Sequence, residues 1–253
     1  MAVNLRPYQQ EAVNAIFGYL RSKRGNPLVA LPTGSGKSHV QAGFIQQALA
    51  GWPQTRIMCL THRKELIVQN AEKAQLYLGQ RVGIYSAGLG QRDIRSVTFA
   101  GIQSIYNKDI QPPNLIIIDE CHLVPKSGNG MYLKFLKRIK EENPKLRVIG
   151  MSATPYRLQG GMLTHGKGKI FNSVVYNLPI QRLIDEGVLA PVVSAKTSTE
   201  IKTDGVNIQA GEYNLKEIDA AASMKHVTAG AVNDAIKHGV NRKSWLIFCV
   251  SVA

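Results

Sequence analysis

A glycine-rich stretch near the amino terminus constrains the fold of this chain more than any other feature. Residues 28–38 read L-V-A-L-P-T-G-S-G-K-S, and a helix-prone segment follows from His39 to Leu49. This order predicts a buried strand, a tight turn and a helix start, where backbone N–H groups and the helix N-terminus bind phosphate. Lys37 would reach the β and γ phosphates, and the Ser38 hydroxyl would bind Mg²⁺. The residues predicted to surround the phosphates are Thr33, Gly34, Ser35, Gly36, Lys37 and Ser38.

One position departs from the general phosphate-loop pattern G-x-x-x-x-G-K-[ST]. Leu31 stands where the pattern has its first glycine. Taken alone, the stretch is therefore also compatible with an ordinary glycine-rich turn that carries a surface lysine. A second motif is needed to decide between the two interpretations.

That second motif is L-I-I-I-D-E-C-H at residues 115–122. Four apolar residues predict a strand buried on both faces of a parallel sheet, and two carboxylates follow where it ends. Ligands of open α/β sheets bind at the carboxyl ends of the strands, so Asp119 and Glu120 are expected beside the phosphate loop. Asp119 suits Mg²⁺, and Glu120 suits a base that orients or deprotonates the attacking water. With Lys37, they form the predicted catalytic set for hydrolysis of a nucleoside triphosphate.

Three segments together resemble a known series of motifs. L-P-T-G-S-G-K-S, D-E-C-H and Ser152-Ala153-Thr154 are similar to motifs I, II and III of superfamily 2 helicases and translocases, in their DExH branch. The resemblance covers about residues 5–195, with a weaker trace at 244–253. It implies a RecA-like P-loop NTPase fold, an α/β parallel sheet with helices on both faces. It also implies ATP and Mg²⁺ as cofactors, and movement along or unwinding of DNA, or less commonly RNA.

The resemblance extends to a segment that contacts the adenine base. Leu5-Arg6-Pro7-Tyr8-Gln9 precedes a predicted helix and is similar to the family's Q motif. By this resemblance Gln9 would bind the adenine edge, and Arg6 or Tyr8 would pack near the base. A helix cap explains the same residues, since proline is favoured in the first turn of a helix.

Two further segments are similar to motifs that contact the nucleic-acid backbone in the family. The first is motif Ia, with Thr61, His62 and Arg63; a hydroxyl, a cation and helix N-terminal amides suit a phosphate. The second is motif Ic, where Gly101 would allow close approach and Gln103 or Ser104 would donate a hydrogen bond to phosphate. An ordinary helix N-cap with Arg63 in solvent is the alternative for motif Ia.

The resemblance implies that the tripeptide Ser152-Ala153-Thr154 couples the nucleotide site to the nucleic-acid site. In the resembled family Ser152 and Thr154 link the nucleotide state to the nucleic-acid path through hydrogen bonds to the acidic motif. His122 is a natural partner for this region, because its imidazole can bridge the γ-phosphate end to a polar neighbour. A histidine that is merely hydrogen-bonded within the fold explains His122 equally well.

Composition bounds the partners and the compartment. Lys and Arg total 31 against 17 Asp and Glu, a net charge of +14, which favours a polyanion such as nucleic acid over a generically basic protein. We expect no membrane partner, because no apolar run reaches the length of a membrane span and the amino terminus lacks a secretory leader. Cys59, Cys121 and Cys249 lack metal-type spacing, so we predict buried thiols in a reducing cytoplasm.

The chain is predicted to contain one motor domain and part of another. Residues 1–195 would form the first RecA-like, ATP-binding domain, whose α/β layer would be completed by a strand at 189–195. The polar segment 196–219 would be a linker or insertion. Residues 220–253 would begin a second RecA-like domain, with a helix at 220–238 and a buried strand at 245–252 that resembles motif IV. No segment matches motifs V and VI, which carry the family's arginine finger. Since such a finger is worth roughly 10³ to 10⁵ in rate, we expect the chain alone to be weakly active without a full second domain.

Two other functions fit the same residues. The chain could belong to a translocating subunit of a restriction or remodelling complex that never separates strands. It could also be a nucleotide-gated nucleic-acid-binding module without useful catalysis. A small-molecule kinase is disfavoured, because D-E-C-H and S-A-T occur together.

Overall fold

The apolar runs of the sequence form the central strands of one sheet. We describe a computed structural model, which covers residues 4–125, 128–157, 161–192, 199–209 and 212–247. Its strands are β1 (Pro27–Ala30), β2 (Ile57–Thr61), β3 (Gly83–Ser86), β4 (Gln91–Arg92), β5 (Val97–Gly101), β6 (Leu115–Asp119), β7 (Arg147–Ser152), β8 (Tyr156–Arg157), β9 (Gly161–Met162), β10 (Ser173–Asn177), β11 (Ile208–Gln209) and β12 (Glu212–Tyr213). Its α-helices are α1 (Pro7–Ser22), α2 (Lys37–Gly51), α3 (Lys64–Leu78), α4 (Ile102–Ile105), α5 (Met131–Glu142), α6 (Ile180–Asp185), α7 (Leu215–Ala222) and α8 (Lys225–Gly239).

Eight strands form the main sheet in the order β10-β1-β7-β6-β2-β5-β3-β4. All neighbouring pairs are parallel except β3 and β4. Parallel strands end at the same edge of a sheet, so the carboxyl ends of β1, β7, β6, β2 and β5 lie side by side in that order. We call this the carboxyl edge; it carries the segments that resemble motifs I, Ia, Ic, II and III.

Helices cover both faces of the sheet, as the sequence predicts. Alternating residues of β6 show the two faces: Ile117 belongs to a core cluster with residues of α1, α2 and α3, whereas Ile116 and Ile118 belong to a cluster with residues of α4 and α5. β1, β2, β5 and β6 are buried at every position. This double burial explains why these strands read as continuous apolar runs. The predicted α/β, RecA-like fold class is confirmed.

Close packing at β7 depends on a glycine. A Cβ on Gly150 would lie 2.6 Å from the Phe171 ring and 2.9 Å from Cys121 Sγ, closer than real Cβ contacts. Phe171 and Cys121 are themselves buried. Burial also raises the pKa of the Cys59 and Cys121 thiols, so both stay protonated small apolar groups. Cys249 lies outside the described residues.

A polar network on the surface attaches α1 to the end of the sheet. The Arg182 guanidinium donates to both carboxylate oxygens of Glu11, at 2.6 and 2.8 Å, and the Tyr176 hydroxyl donates to Glu11 at 2.8 Å. These donors lower the pKa of Glu11 to about 2. A depressed carboxyl pKa stabilises the fold above its ordinary value of 4.5, and this contribution is lost as the pH falls towards 2. Because α1 carries Gln9, the network helps to fix the predicted base-binding segment.

Residue contacts divide the chain into two units, Met1–Leu189 and Ala190–Ala253. In the second unit, β11 and β12 form an antiparallel hairpin, and the Asn214 side chain caps α7 by accepting from the backbone N–H groups of Lys216 and Glu217. Thus the described part of the segment predicted as a linker, 196–219, contains a hairpin and a helix start. Within the described residues, no helix is long and apolar enough to cross a membrane.

Three predicted elements differ from the structure. The strand predicted at 189–195 is absent as far as Val192, because the N–H groups of Val188 and Leu189 donate to the Leu183 carbonyl and end α6 instead. The helix predicted at 220–238 is two helices, α7 and α8, since Met224 has an extended backbone (φ −61°, ψ 125°) between them. Trp245–Ile247 lies outside any helix or strand, and the rest of the predicted strand lies outside the described residues.

We predict that Phe135→Ala strongly destabilises the first unit. Phe135 is fully buried on α5, and its removal leaves a cavity in the core. The free energy of unfolding should fall by about 3–5 kcal/mol, measured by urea denaturation. Lys137→Ala on the exposed face of α5 is the control and should change it by less than about 0.5 kcal/mol. Equal effects of the two variants would contradict this packing of α5.

Candidate ATP-binding and catalytic site

The predicted phosphate loop connects β1 to α2 and has the backbone that its glycines require. Gly34 and Gly36 have φ values of +82° and +80°, the left-handed region that other residues avoid. A Cβ on Gly34 would lie 2.7 Å from the Leu189 side chain, and one on Gly36 would lie 2.6 Å from Gln9 Nε2. The loop is also closed internally, because the buried Ser35 donates through Oγ to the Pro32 carbonyl at 2.6 Å.

A cavity of about 350 Å³ lies beside this loop. Such a volume is in the usual range for small-ligand sites. The residues that line it are Asn4, Arg6, Tyr8, Gln9, Gly34, Ser35, Gly36, His39 and Val188. The structure therefore brings the predicted base-binding residues Arg6 and Gln9 to one cavity with three of the six predicted phosphate-binding residues, Gly34, Ser35 and Gly36.

Gln9 and Tyr8 attach the base-binding segment to the phosphate loop. Gln9 Nε2 and the Tyr8 hydroxyl both donate to the Ser35 carbonyl, at 3.0 and 3.1 Å. Gln9 Oε1 accepts from the Arg6 backbone N–H at 2.9 Å, which is also half of a capping box for α1. Gln9 thus makes the helix-cap interaction, and its amide is at the same time part of the cavity wall. The two interpretations of this segment are compatible.

His39 lines the same cavity and was not identified from the sequence. Its Nδ1 is 2.9 Å from the Tyr77 hydroxyl of α3. Burial, followed by the charges of Lys73 and Arg6, lowers the pKa of His39 below its usual value, so the imidazole is neutral at pH 7. No spacing signal marks a single histidine after the P-loop serine, and only the packing of α2 against α3 reveals it.

The phosphate loop and the acidic motif meet directly. Lys37 Nζ is 2.5 Å from Glu120 Oε1, although β1 and β6 are separated in the sheet by β7. Glu120 has φ 49° and ψ 48°, and it is the one non-glycine residue with positive φ in the part of the chain that the structure describes. Such backbone strain persists where the surroundings enforce it and is concentrated at functional sites. The geometry therefore places a strained carboxylate next to the P-loop lysine.

Asp119 is a buried carboxylate with two hydrogen-bond donors. Its side chain lies at the end of β6 and is 8% exposed. Asn70 Nδ2 donates to its Oδ2 at 3.1 Å, and the Glu120 backbone N–H donates to its Oδ1 at 3.0 Å. Burial raises the pKa of Asp119, whereas the charge of Lys37 and these two hydrogen bonds lower it. The burial effect is the largest, so Asp119 has a higher pKa than an ordinary aspartate.

Ser152 and Thr154 lie in a hydrogen-bonded chain with His122. The Ser152 hydroxyl donates to the Thr154 carbonyl at 2.9 Å and accepts from the Thr154 N–H at 3.0 Å. His122 Nδ1 is 2.8 Å from Ser152 Oγ and 3.4 Å from Glu120 Oε2. Because the serine proton is already donated, we assign a proton to Nδ1 of His122. Arg157 Nε supports this loop by donating to the His122 carbonyl at 2.7 Å.

The residues predicted to contact nucleic acid lie at the ends of β2 and β5. Thr61 and Gly101 are paired in register at the carboxyl edge, next to β6. Thr61 is only 4% exposed, while Arg63 and Gln103 are exposed. His62 Nδ1 is 3.2 Å from the buried Tyr132 hydroxyl. These residues thus form a row beside the acidic motif rather than within the cavity.

Asn70 is a site residue that the sequence analysis missed, although a signal existed. It lies on α3 in the series Ile67, Asn70, Ala71 and Ala74, all of which are buried. Positions i, i+3, i+4 and i+7 form one face of a helix, which normally is apolar. A polar residue at such a position indicates a buried hydrogen bond. The sequence analysis also missed Arg157, and no pattern in the sequence marks its hydrogen bond to the His122 carbonyl.

A parallel sheet of this order, with a phosphate loop and an acidic motif in contact at its carboxyl edge, defines a RecA-like P-loop NTPase domain of the superfamily 2 helicase type. A family model described as "Type III restriction enzyme, res subunit" matches residues 2–157, more than half of the chain. The chain belongs to this family.

The chain is also similar to two proteins named as helicases and to one solved structure with the same fold. The chain is 28% identical over 263 residues to irc3 of Schizosaccharomyces pombe, named "Putative mitochondrial ATP-dependent helicase". The aligned region covers 99% of this chain and 42% of that protein. It is 26% identical to IRC3 of Saccharomyces cerevisiae over 98% of this chain and 37% of that protein. The chain therefore spans about two fifths of the length of these relatives. The UvsW helicase of bacteriophage T4 has the same fold, with a TM-score of 0.51 and 20% identity over 69% of this chain and 60% of that one.

We predict that Gly36→Ala weakens nucleotide binding. The new Cβ needs a disfavoured backbone conformation, at a cost of about 1–3 kcal/mol, and displaces Gln9 from its bond to Ser35. The Kd of a fluorescent ATP analogue should rise by roughly tenfold or more. Gly18→Ala in α1, where a Cβ meets no atom within 4 Å, is the control and should leave the Kd unchanged. An unchanged Kd for Gly36→Ala would show that this loop does not bind phosphate.

Proposed function

We propose that this chain is the ATP-binding part of a nucleic-acid helicase or translocase that couples ATP hydrolysis to movement on DNA. The observation that carries the proposal is the contact between Lys37 and Glu120, which brings a predicted phosphate ligand and a predicted base together at the carboxyl edge of the sheet. Membership of the family and the names of the relatives support ATP as the nucleotide.

In this mechanism, the residues of the chain prepare a water molecule for attack on the γ phosphate. Lys37 leaves Glu120 and neutralises the β and γ phosphates, while the Gly34–Gly36 backbone surrounds them. The released Glu120 carboxylate orients the attacking water and accepts its proton. His122, held by Ser152, is close enough to Glu120 to respond to this change of charge.

Mg²⁺ is the cofactor that we propose at this site. No group of three or more potential metal-ligating side chains exists among the described residues. Mg²⁺ bound to a nucleotide needs only one or two protein ligands, because phosphates and water complete its coordination. The Ser38 hydroxyl and the Asp119 carboxylate are such a set, and the bound ion would neutralise charge on the β and γ phosphates.

DNA is the nucleic acid that we propose as the track. The net charge of +14 favours a polyanion, and exposed Arg63 and Gln103 stand at the carboxyl edge beside the catalytic motif. The family description names a restriction enzyme, a class of enzymes that act on DNA. We place the protein inside the cell, in the cytoplasm, where ATP and nucleic acid meet. Full turnover on this proposal needs a second RecA-like domain, which would supply an arginine finger.

Two related functions share the same site. A translocating subunit of a restriction or remodelling complex would move along duplex DNA without opening it. A strand-displacement assay next to a triplex-displacement assay distinguishes it from a helicase, because a pure translocase gives only the second signal. A nucleotide-gated binding module would bind DNA in response to ATP and would not need hydrolysis.

We predict that Glu120→Gln abolishes hydrolysis and retains nucleotide binding. The amide keeps the shape of the side chain but cannot accept a proton, so kcat should fall by about 10²- to 10⁴-fold. Phosphate release by the chain measures the rate, and a fluorescent ATP analogue measures affinity. Unchanged phosphate release would remove Glu120 from the mechanism. Movement on DNA should be abolished in this variant if the protein is a motor, whereas the function of a binding module should be unchanged.

We predict that Arg63→Ala weakens DNA binding through loss of one phosphate contact. Fluorescence anisotropy with a single-stranded DNA should give a lower affinity and a salt slope smaller by about 1. Lys140→Ala, an exposed cation on α5, is the control for a general loss of charge. If both variants reduce binding equally, the contact at α3 is not specific. The same titration with RNA of equal sequence should give weaker binding, and tighter binding of RNA would contradict DNA as the track.

A further inference from the structure

The polar residue on the buried face of α3 needs a partner. Asn70 is 7% exposed, and its helical neighbours Ile67, Ala71 and Ala74 belong to the main core cluster. A buried amide is unfavourable unless it is hydrogen-bonded. A leucine or alanine would fill this place without needing a hydrogen bond, so the contact of the amide group should explain why an asparagine is here.

The partner of Asn70 is the carboxylate at the end of β6. Asn70 Nδ2 donates to Asp119 Oδ2 at 3.1 Å, between two side chains that are each more than nine-tenths buried. The other oxygen, Oδ1, accepts from the Glu120 backbone N–H at 3.0 Å. Each oxygen thus has one donor, and because a carboxylate oxygen has two lone pairs, each keeps one for another ligand.

Two donors on opposite oxygens fix the plane of a carboxylate. One donor is the backbone N–H of Glu120, which belongs to a strained turn. The other donor is Asn70, the side chain that donates to Asp119 among the described residues. Without Asn70 the carboxylate could rotate about its Cβ–Cγ bond while the backbone stayed in place. The orientation of Asp119 therefore depends on a helix that contributes no other residue to the predicted catalytic set.

We propose that Asn70 is a positioning residue that orients Asp119 for the metal–nucleotide complex. Outer partners of metal-ligating carboxylates typically change metal affinity or activity by 10- to 100-fold when they are removed. The inference rests on the proposed function of Asp119 as an Mg²⁺ ligand. It predicts a defect in the metal-dependent part of nucleotide binding and none in the part that the phosphate loop provides.

The test compares nucleotide binding with and without Mg²⁺ on the full chain. A fluorescent, non-hydrolysable ATP analogue is titrated in excess Mg²⁺ and again in a chelator, for the wild type, Asn70→Ala and Asn70→Asp. In Asn70→Ala the gain in affinity due to Mg²⁺ should shrink by about 10- to 100-fold, while the Kd in chelator stays the same. Asn70→Asp keeps the shape of the side chain and so tests the same point if the alanine variant folds poorly. It should lose more of the gain, because a second carboxylate would face Asp119.

Ile67→Val is the matched control, since it removes one methylene from the same face of α3 and leaves the Asn70–Asp119 bond intact. It should keep the full Mg²⁺-dependent gain even if its thermal midpoint falls as much as that of Asn70→Ala. A full gain in both Asn70 variants would overturn the positioning role. A wild type that binds the analogue without any Mg²⁺-dependent gain would overturn the proposed metal site as well, so the two failures are distinguishable.

Discussion

The parallel arrangement of the central strands is the constraint on which the site depends. Each motif is a few residues at the end of a strand, and only parallel neighbours bring such ends to one edge. β1 delivers the phosphate loop, β7 delivers Ser152, β6 delivers Asp119, and β2 and β5 deliver the segments of motifs Ia and Ic. An antiparallel neighbour would send its carboxyl end to the opposite side. The adjacency of the predicted nucleotide-binding and nucleic-acid-binding motifs therefore follows from strand direction, not from long loops.

At this edge, charge and burial oppose each other. Lys37 and Glu120 are partly exposed and neutralise one another, whereas Asp119 is nearly inaccessible to solvent. A buried carboxylate is tolerated because two hydrogen bonds and a nearby cation offset part of the lost hydration. The site thus separates its two carboxylates by environment, an arrangement that lets adjacent acids take different roles.

The sequence predicted the parts of the site that local chemistry determines. Gly34 and Gly36 are required by a positive φ, and the run before Asp119 by burial on both faces, so both could be read from the chain. The helical pattern of α3 indicates that Asn70 makes a buried hydrogen bond, but the partners of Asn70 and His39 depend on how α3 packs against β6 and α2, which no local pattern encodes. The strand predicted at 189–195 is absent as far as Val192, because apolar residues can also end a helix, as Val188 and Leu189 do.

The same limits apply outside the nucleotide site. The break between α7 and α8 was missed because it falls at Ser223 and Met224, and neither residue is a proline or a glycine. The helical pattern of the sequence therefore continues across the break. The roles of Thr61, Arg63, Gly101 and Gln103 remain predictions, since the structure gives their positions on the carboxyl edge without a nucleic acid against them.

The contact at Gly150 has a consequence for how the acidic motif can vary. The missing side chain of Gly150 leaves the space that Cys121 and Phe171 occupy, so these three positions share one volume. A bulkier residue at position 121 would need that space, and a side chain at position 150 would need a smaller residue in the motif. A substitution at position 150 should therefore require smaller residues at positions 121 and 171, although none of the three belongs to the predicted catalytic set.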